Sequence, residues 1–142
     1  MSAQVIDNPE VQYVFDTYPE PTREKLMGLR QLIFDVAAET EGVGTIQETL
    51  KWGQISYLTS QPKSGTTIRI DEYQRETEEV ALFVHCQTNL VDTFRQMSPD
   101  SFRYEGSRVV IWDNLNELQI DLLKDFIELA LTYHQRKRRE KQ

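Results

Sequence analysis

In the segment Glu48-Thr49-Leu50-Lys51-Trp52-Gly53-Gln54-Ile55-Ser56-Tyr57, a Trp-Gly pair separates two strand-like runs. The pair sets a bulky aromatic side chain beside a flexible backbone point, an arrangement that suits one wall of a pocket. The runs on either side predict strands over residues 45–51 and 55–59. We therefore expect two strands here and a pocket near Trp52.

Helical patterns precede these strands. Asn8 is suited to cap a first helix that runs to about residue 18, with Pro9 at its first position. Thr22 is suited to cap a second helix, whose apolar residues recur at helical spacing until Gly42 and Gly44 end it. Two helices are thus expected before the strands begin.

More strands and helices follow in the second half of the chain. Further strands are predicted over residues 66–71, 80–86, 102–105 and 108–112. Thr88 is suited to cap a short helix that ends at Met97, and Asn114 and Glu117 have capping-box spacing for a long last helix. This order predicts an α+β fold, with a mostly antiparallel sheet of five or six strands packed against the N-terminal helices and a long C-terminal helix.

The predicted strand over residues 80–86 is apolar on both faces, which is typical of a central strand covered on both sides. We expect helices over one face and an aromatic-lined cavity over the other, with His85 near its polar end. His85 and Cys86 are neighbours in this strand, so their side chains point to opposite faces and cannot form a catalytic dyad. His85 is therefore either a hydrogen-bonded structural histidine or a general acid–base group, and Cys86 is expected in the core.

Charge is unevenly distributed along the chain. The 142 residues carry a net charge of −7, while the tail 136–142 carries five positive charges and one negative charge. The rest of the chain therefore carries −11, which argues against a nucleic-acid partner because phosphates would be repelled. The basic tail either complements the dipole of the last helix or touches RNA or another anionic surface.

Chain length, cysteine content and the length of the apolar runs indicate the number of domains and the cellular location to expect. A chain of 142 residues with 39% hydrophobic residues fits one domain over residues 1–142, with a core at about 8–135. Cys86 is the only cysteine, so neither an intrachain disulfide nor a zinc pattern is possible. The apolar run 80–84 is too short to cross a membrane, and the segment 1–7 lacks the features of a secretory signal. We expect a cytoplasmic protein without a membrane partner.

The residues best suited to hold a ligand are Trp52, Tyr57, Arg69, His85 and Arg108. The two aromatic residues offer flat apolar walls with a polar edge. Arg69 lies in a strand between two isoleucines, where its charge needs a partner: a carboxylate such as Glu48 or Asp71, or an anionic ligand. The alternative is a structural aromatic cluster around a salt-bridged arginine. The chain contains no glycine-rich phosphate loop, so it lacks the usual device for binding nucleotides.

An acidic stripe follows the predicted last helix at positions i, i+4, i+8 and i+11: Glu117, Asp121, Asp125 and Glu128. Carboxylates at this spacing could hold iron or another hard cation weakly. The same stripe is typical of the solvent face of an amphipathic helix. Iron is the one cofactor that these residues bring into consideration.

Several motifs, in order along the chain, resemble the signature of the YdhG-like family, a bacterial domain of unknown function. They are the stretch from Glu48 through Leu58-Thr59, Gly65-Thr66-Thr67-Ile68-Arg69-Ile70, Phe83-Val84-His85-Cys86-Gln87-Thr88-Asn89-Leu90-Val91, Phe102-Arg103-Tyr104-Glu105-Gly106-Ser107-Arg108 and Leu129-Ala130-Leu131-Thr132-Tyr133-His134. The resemblance covers most of the chain from the second predicted helix onward. One position departs from it, because Ile55 stands where the family usually has proline directly after the Trp-Gly-Gln or Trp-Gly-Met step.

The resemblance implies a compact domain with a sheet packed against helices, and no settled activity. One branch of the family is described as frataxin-like intracellular iron chaperones. The sequence therefore favours a small-ligand-binding or partner-binding module with a pocket near Trp52. The alternatives are an iron-binding chaperone and, less favoured, an enzyme that uses His85. A monomer and a homodimer both remain open.

Overall fold

The computed structural model describes residues 5–140. Its helices are α1 (Pro9–Thr17), α2 (Glu20–Glu39), α3 (Leu90–Met97), α4 (Glu117–Leu131) and α5 (Tyr133–Glu140), and its strands are β1 (Thr45–Lys51), β2 (Gln54–Ser60), β3 (Ile68–Gln74), β4 (Glu79–Phe83), β5 (Arg103–Glu105) and β6 (Val109–Trp112). Residues 1–4 of the N-terminal segment, which was expected to carry no secretory signal, and residues 141–142 of the basic tail lie outside this description.

The six strands form one sheet in the order β1-β2-β3-β4-β6-β5, and every neighbouring pair is antiparallel. The predicted α+β class and the helices packed on the sheet, including a C-terminal helix, are confirmed. No helix between residues 5 and 140 combines the length and apolar character needed to cross a membrane.

The Trp-Gly pair connects the first two strands as a two-residue turn. Lys51 is paired with Gln54 at the end of the ladder, so only Trp52 and Gly53 remain in the connection. Both have left-handed backbone conformations, with φ values of 55° and 77°. This is the geometry that a tight hairpin needs, since such turns match the twist of the strands they join. Ile55 follows inside the ladder and is fully buried opposite Ile70.

One face of the sheet is covered by helices. The side chains that point to this face are fully buried in one apolar cluster with residues of α2 and α4: Ile55, Tyr57, Ile68, Ile70, Val80 and Leu82. On the opposite face, Ala81, Val109 and Ile111 form a smaller buried cluster under Tyr73 and Phe83. The predicted burial of β4 on both faces is therefore correct. The face away from the helices is covered by side chains of the strands themselves.

Of the first two helix starts, one agrees with the prediction and one differs from it. Asn8 does cap α1, with its side-chain oxygen accepting from the backbone N–H groups of Glu10 and Val11. Thr22, however, is not a cap, because α2 already begins at Glu20 after Pro19 and Thr22 is buried in its first turn. The prolines that flank Glu20 tolerate a helix start, where backbone N–H groups have no partner within the helix.

The last helix also starts and ends differently. Its capping box is formed by Asn116 and Gln119, two residues later than the predicted pair, and both reciprocal hydrogen bonds are present. The helix then breaks at Thr132, whose hydroxyl donates to the carbonyl of Glu128 at 2.7 Å. The basic segment continues as the separate helix α5. This break sets the direction of the residues that follow it.

Candidate functional site

A cavity of about 500 Å³ lies at one edge of the sheet. It is lined by residues from four segments: Lys51 at the end of β1 with Trp52 of the following turn, Thr66 and Thr67 just before β3 with Arg69 inside it, His85, Gln87 and Thr88 after β4, and Tyr133 and His134 at the start of α5. Its volume is within the range of sites that hold small ligands. Three of the five residues that the sequence singled out, Trp52, Arg69 and His85, thus line one cavity.

Arg69 is the cation at the centre of this lining. Because Ile68 and Ile70 point into the helix-covered core, Arg69 points to the opposite face, where Ser56 and Phe83 are its cross-strand neighbours. Its side chain is half-buried and forms no hydrogen bond or ion pair with any residue between 5 and 140. Arg69 therefore keeps its guanidinium donors available to the cavity.

The two carboxylates that the sequence suggested as partners for Arg69 are engaged elsewhere. Glu48 binds the guanidinium of Arg30 with two hydrogen bonds, at 2.6 and 2.9 Å. Asp71 accepts from the hydroxyl of Tyr18 at 2.8 Å and from the side-chain amide of Gln54 at 3.3 Å. Within residues 5–140, the hypothesis of a salt-bridged Arg69 is therefore wrong.

The cavity is also cationic as a whole. Lys51 and Arg69 carry positive charge, and His85 and His134 add two imidazoles. Among the described residues that line it, none is an aspartate or a glutamate. Since the whole chain carries −7, such a surface contrasts with the rest of the molecule. The local field therefore favours an anion over a cation.

Trp52 forms the outer wall and is 91% exposed, so the possibility that it is a core aromatic is excluded. A bulky side chain in the left-handed region is unfavourable, and tight turns of this kind prefer asparagine or glycine. Neither packing nor turn chemistry therefore explains a tryptophan at this position. The indole is thus exposed at the edge of the cavity, in a backbone conformation that is unfavourable for a bulky residue.

His85 lies beyond the end of the sheet. The chain leaves β4 after Phe83, three residues before the end of the predicted strand, and residues 86–88 form a 3-10 turn. The Nδ1 atom of His85 accepts from the backbone N–H of Gln87 at 3.1 Å, so Nε2 is the nitrogen that carries a proton in the neutral ring. The described lining contains no carboxylate that could orient this imidazole for acid–base chemistry.

Cys86 is exposed, so its expected place in the core is wrong. Strand alternation would have buried it with Val84, but the strand has ended by this point and the turn carries the thiol outward. Cys86 does not belong to the cavity lining.

Tyr133 and His134 are two of the cavity residues that the sequence did not single out as a site. Their rings pack edge to face with centroids 5.3 Å apart. Burial, together with the nearby charges of Lys63 and Arg138, lowers the pKa of His134 below its usual value. The ring is therefore neutral at neutral pH. In the sequence, the only sign of these two residues was the change at Thr132 from an apolar helical pattern to a basic one. That change does not say where α5 packs, and the positions of Tyr133 and His134 depend on it.

Tyr57 and Arg108 lie outside the cavity. Tyr57 points to the helix-covered face, where its hydroxyl donates to Glu48 at 2.7 Å; burial and that carboxylate raise its pKa. Its neighbour across the ladder is the inward-facing Ile68, which explains this direction. Arg108 is exposed in the turn between β5 and β6, where its carbonyl accepts from the N–H of Val84 at 3.0 Å.

The acidic stripe lies on the exposed side of α4: Glu117, Asp121, Asp125 and Glu128. Between residues 5 and 140, no three histidine, cysteine, aspartate or glutamate side chains are grouped so that they could hold a metal ion. Iron binding by the stripe stays a prediction.

Comparisons with models of protein families, with curated proteins and with solved structures each found no match. The resemblance to the YdhG-like family accordingly stays a prediction, and the function has to be argued from the site.

Proposed function

We propose that this protein is a binding module for a small organic anion, held in the cavity beside Trp52. The observation that carries the proposal is Arg69, a half-buried guanidinium in the lining that has no partner among residues 5–140. Taking a cation partly out of water costs free energy unless another group compensates it. A ligand carboxylate or phosphate would supply that compensation through paired hydrogen bonds to the planar guanidinium.

Other residues of the cavity suit the remaining parts of such a ligand. The indole of Trp52 offers a flat apolar surface on which a planar ring can stack. The hydroxyls of Thr66 and Thr67 add further hydrogen-bonding groups to the lining. These features support a ligand that combines a planar ring with an anionic group.

We retain the other hypotheses only as alternatives. The iron chaperone rests on the exposed acidic stripe, and the enzyme rests on His85; the described geometry adds no support to either. We further propose a cytoplasmic location, on the grounds of the single cysteine and the acidic composition.

Isothermal titration calorimetry with benzoate, phenyl phosphate and AMP tests the proposal. We expect at least one of these planar anions to bind the wild type and to lose about tenfold or more in affinity in Arg69→Gln, since a paired hydrogen bond to a charged group is lost. Arg108→Gln is the matched control, because it removes the same charge from an exposed arginine outside the cavity.

Two results would overturn the proposal. One is the absence of binding by all three anions at millimolar concentration. The other is an equal loss of affinity in Arg69→Gln and Arg108→Gln, which would show that net charge, and not the cavity, attracts the anion. Thermal unfolding of both variants without ligand establishes that each is folded.

A further inference from the structure

A second group of cations lies beside the cavity, on the side formed by α5. The guanidinium of Arg138 donates from both terminal nitrogens to the carbonyl of Lys63, at 3.4 Å each. The loop that carries Lys63 is joined to α5 by the backbone N–H of Gln135, which donates to the carbonyl of Ser64 at 3.0 Å. Lys63 and Arg138 are therefore held close together, although they are 75 residues apart in the chain. We call these two residues the α5 cation pair.

The α5 cation pair is within electrostatic reach of the cavity. His134 lines the cavity, and after burial the charges of Lys63 and Arg138 are the causes that lower its pKa. Lys137 extends the group, since its ammonium lies 5.7 Å from the ring centroid of Tyr133, another lining residue. Cationic side chains therefore occur both in the cavity lining, at Arg69, and on α5 next to the two lining rings.

Neither member of the α5 cation pair forms an ion pair with a carboxylate in residues 5–140. Lys137 differs, because it lies 3.8 Å from Glu140. Cations near a helix C-terminus complement its dipole, which accounts for Arg138 alone. Lys63 lies in a loop and is exposed, and it is its backbone carbonyl, not its ammonium, that Arg138 contacts. The hydrogen bonds to the carbonyl explain the position of the Arg138 side chain, and both positive charges are left without a carboxylate partner in residues 5–140.

We infer that the ligand is an elongated polyanion with a planar ring, whose first anionic group binds Arg69 and whose further anionic groups bind Lys63 and Arg138. This inference rests on the proposed function and specifies the class of ligand. A nucleoside di- or triphosphate has the required chemistry, with a ring to stack on Trp52 and a chain of phosphates to follow the cations. The site would then bind phosphates through side chains, without a glycine-rich loop.

Three nucleotides that share one ring and differ in their number of phosphates test the inference. AMP, ADP and ATP are titrated in the absence of Mg²⁺ into the wild type and into the double variant Lys63→Gln/Arg138→Gln. We expect the wild-type affinity to rise about fivefold with each added phosphate, and the double variant to bind all three nucleotides with the affinity that the wild type has for AMP. The control variant Lys124→Gln/Arg108→Gln removes one lysine and one arginine charge from exposed residues outside the cavity. It should preserve the increase in affinity with each added phosphate.

The outcomes separate this inference from the proposed function. If AMP binds in an Arg69-dependent way but ADP and ATP bind no more tightly, the polyanion inference is wrong and the small-anion site stands. If the rise in affinity from AMP to ATP is lost equally in both double variants, that rise reflects the net charge of the protein, and the inference also fails. If tripolyphosphate binds as tightly as ATP, the ring makes no contact and the stacking role of Trp52 is wrong.

Discussion

The carboxylate of Glu48 and the guanidinium of Arg30 form a forked pair in the interior, with side chains that are 8% and 1% exposed. Nε of Arg30 donates to Oε2 at 2.6 Å and Nη2 donates to Oε1 at 2.9 Å. Arg30 also donates to the carbonyl of Val5 at 3.0 Å, and Glu48 accepts from the hydroxyl of Tyr57. The pair ties α2 to β1, the strand that leads into the Trp52 turn.

Removing one partner of this pair should destabilise the protein strongly. Glu48→Gln leaves the Arg30 charge buried without compensation, and we expect the free energy of unfolding to fall by about 3–5 kcal/mol. Urea unfolding followed by circular dichroism measures the change. The double variant Arg30→Met/Glu48→Leu removes both charges and should recover most of the loss. A fall of less than about 1 kcal/mol in Glu48→Gln would show that water reaches the pair.

Replacing the turn tryptophan should raise stability and weaken binding together. Trp52→Asn puts a residue that tolerates the left-handed conformation at a φ of 55°, so we expect the free energy of unfolding to rise by about 1 kcal/mol. The same variant loses the surface on which a ligand ring stacks, so its affinity for AMP should fall. Urea unfolding and calorimetry measure the two effects. A loss of stability would mean that the indole packs against the fold.

Two glycines should respond in opposite ways to alanine. A Cβ atom on Gly65 would lie 2.5 Å from the Cα of Leu131 and 2.6 Å from the carbonyl oxygen of Ala130, so Gly65→Ala forces the loop away from α4. We expect a cost of about 2 kcal/mol or more. Gly28 of α2 has open space around it, and Gly28→Ala should add about 0.5–1 kcal/mol because glycine disfavours helices. Equal effects of the two substitutions in urea unfolding would contradict the tight contact at Gly65.

The protonation of His134 should respond to ligand binding. Its pKa is below 6.5 in the free protein, and an anion bound beside it favours the imidazolium, so saturating ATP should raise that pKa. Proton NMR titration of the two histidines, assigned with His134→Gln, measures this change. An unchanged pKa at saturating ATP would mean that the phosphates do not pass His134.

The same depressed pKa makes stability depend on pH. Below pH 6.5 the unfolded chain binds a proton at His134 that the folded protein does not, so this contribution is full above pH 6.5 and is lost as the pH falls towards the folded-state pKa. We therefore expect the free energy of unfolding to decrease less steeply from pH 7 to pH 5 in His134→Gln than in the wild type. Parallel curves for the two proteins would contradict the lowered pKa.

Much of the fold was predictable because its signals are local. Alternation of apolar residues indicated the strands, and the side-chain oxygen of Asn8 indicated the start of α1. The errors arose where several local patterns compete. Asn114 and Asn116 each have a suitable residue three positions later, and only the packed helix selects the second. Nothing local required β4 to end at Phe83, since Val84 is just as apolar.

The cavity was predictable only in part. Trp52 and Arg69 stand out because each conflicts with its local environment, one as an aromatic in a turn and the other as a cation between isoleucines. Tyr57 could have been separated from them by alternation, since it shares a face with Ile55. Tyr133 and His134 reach the cavity through a tertiary contact, in which the N–H of Thr66 donates to the carbonyl of Ala130 at 2.9 Å. No local pattern encodes that contact.

The two tryptophans differ in a way that makes the molecule its own optical reporter. Trp52 is 91% exposed at the cavity, whereas Trp112 is 6% exposed and packs against Phe102 in the core. Light absorbed by the first indole is emitted from a water-like surrounding, and light absorbed by the second from an apolar one. A single emission spectrum therefore carries separate signals from the binding face and from the interior, so occupancy and unfolding can be followed together without a label.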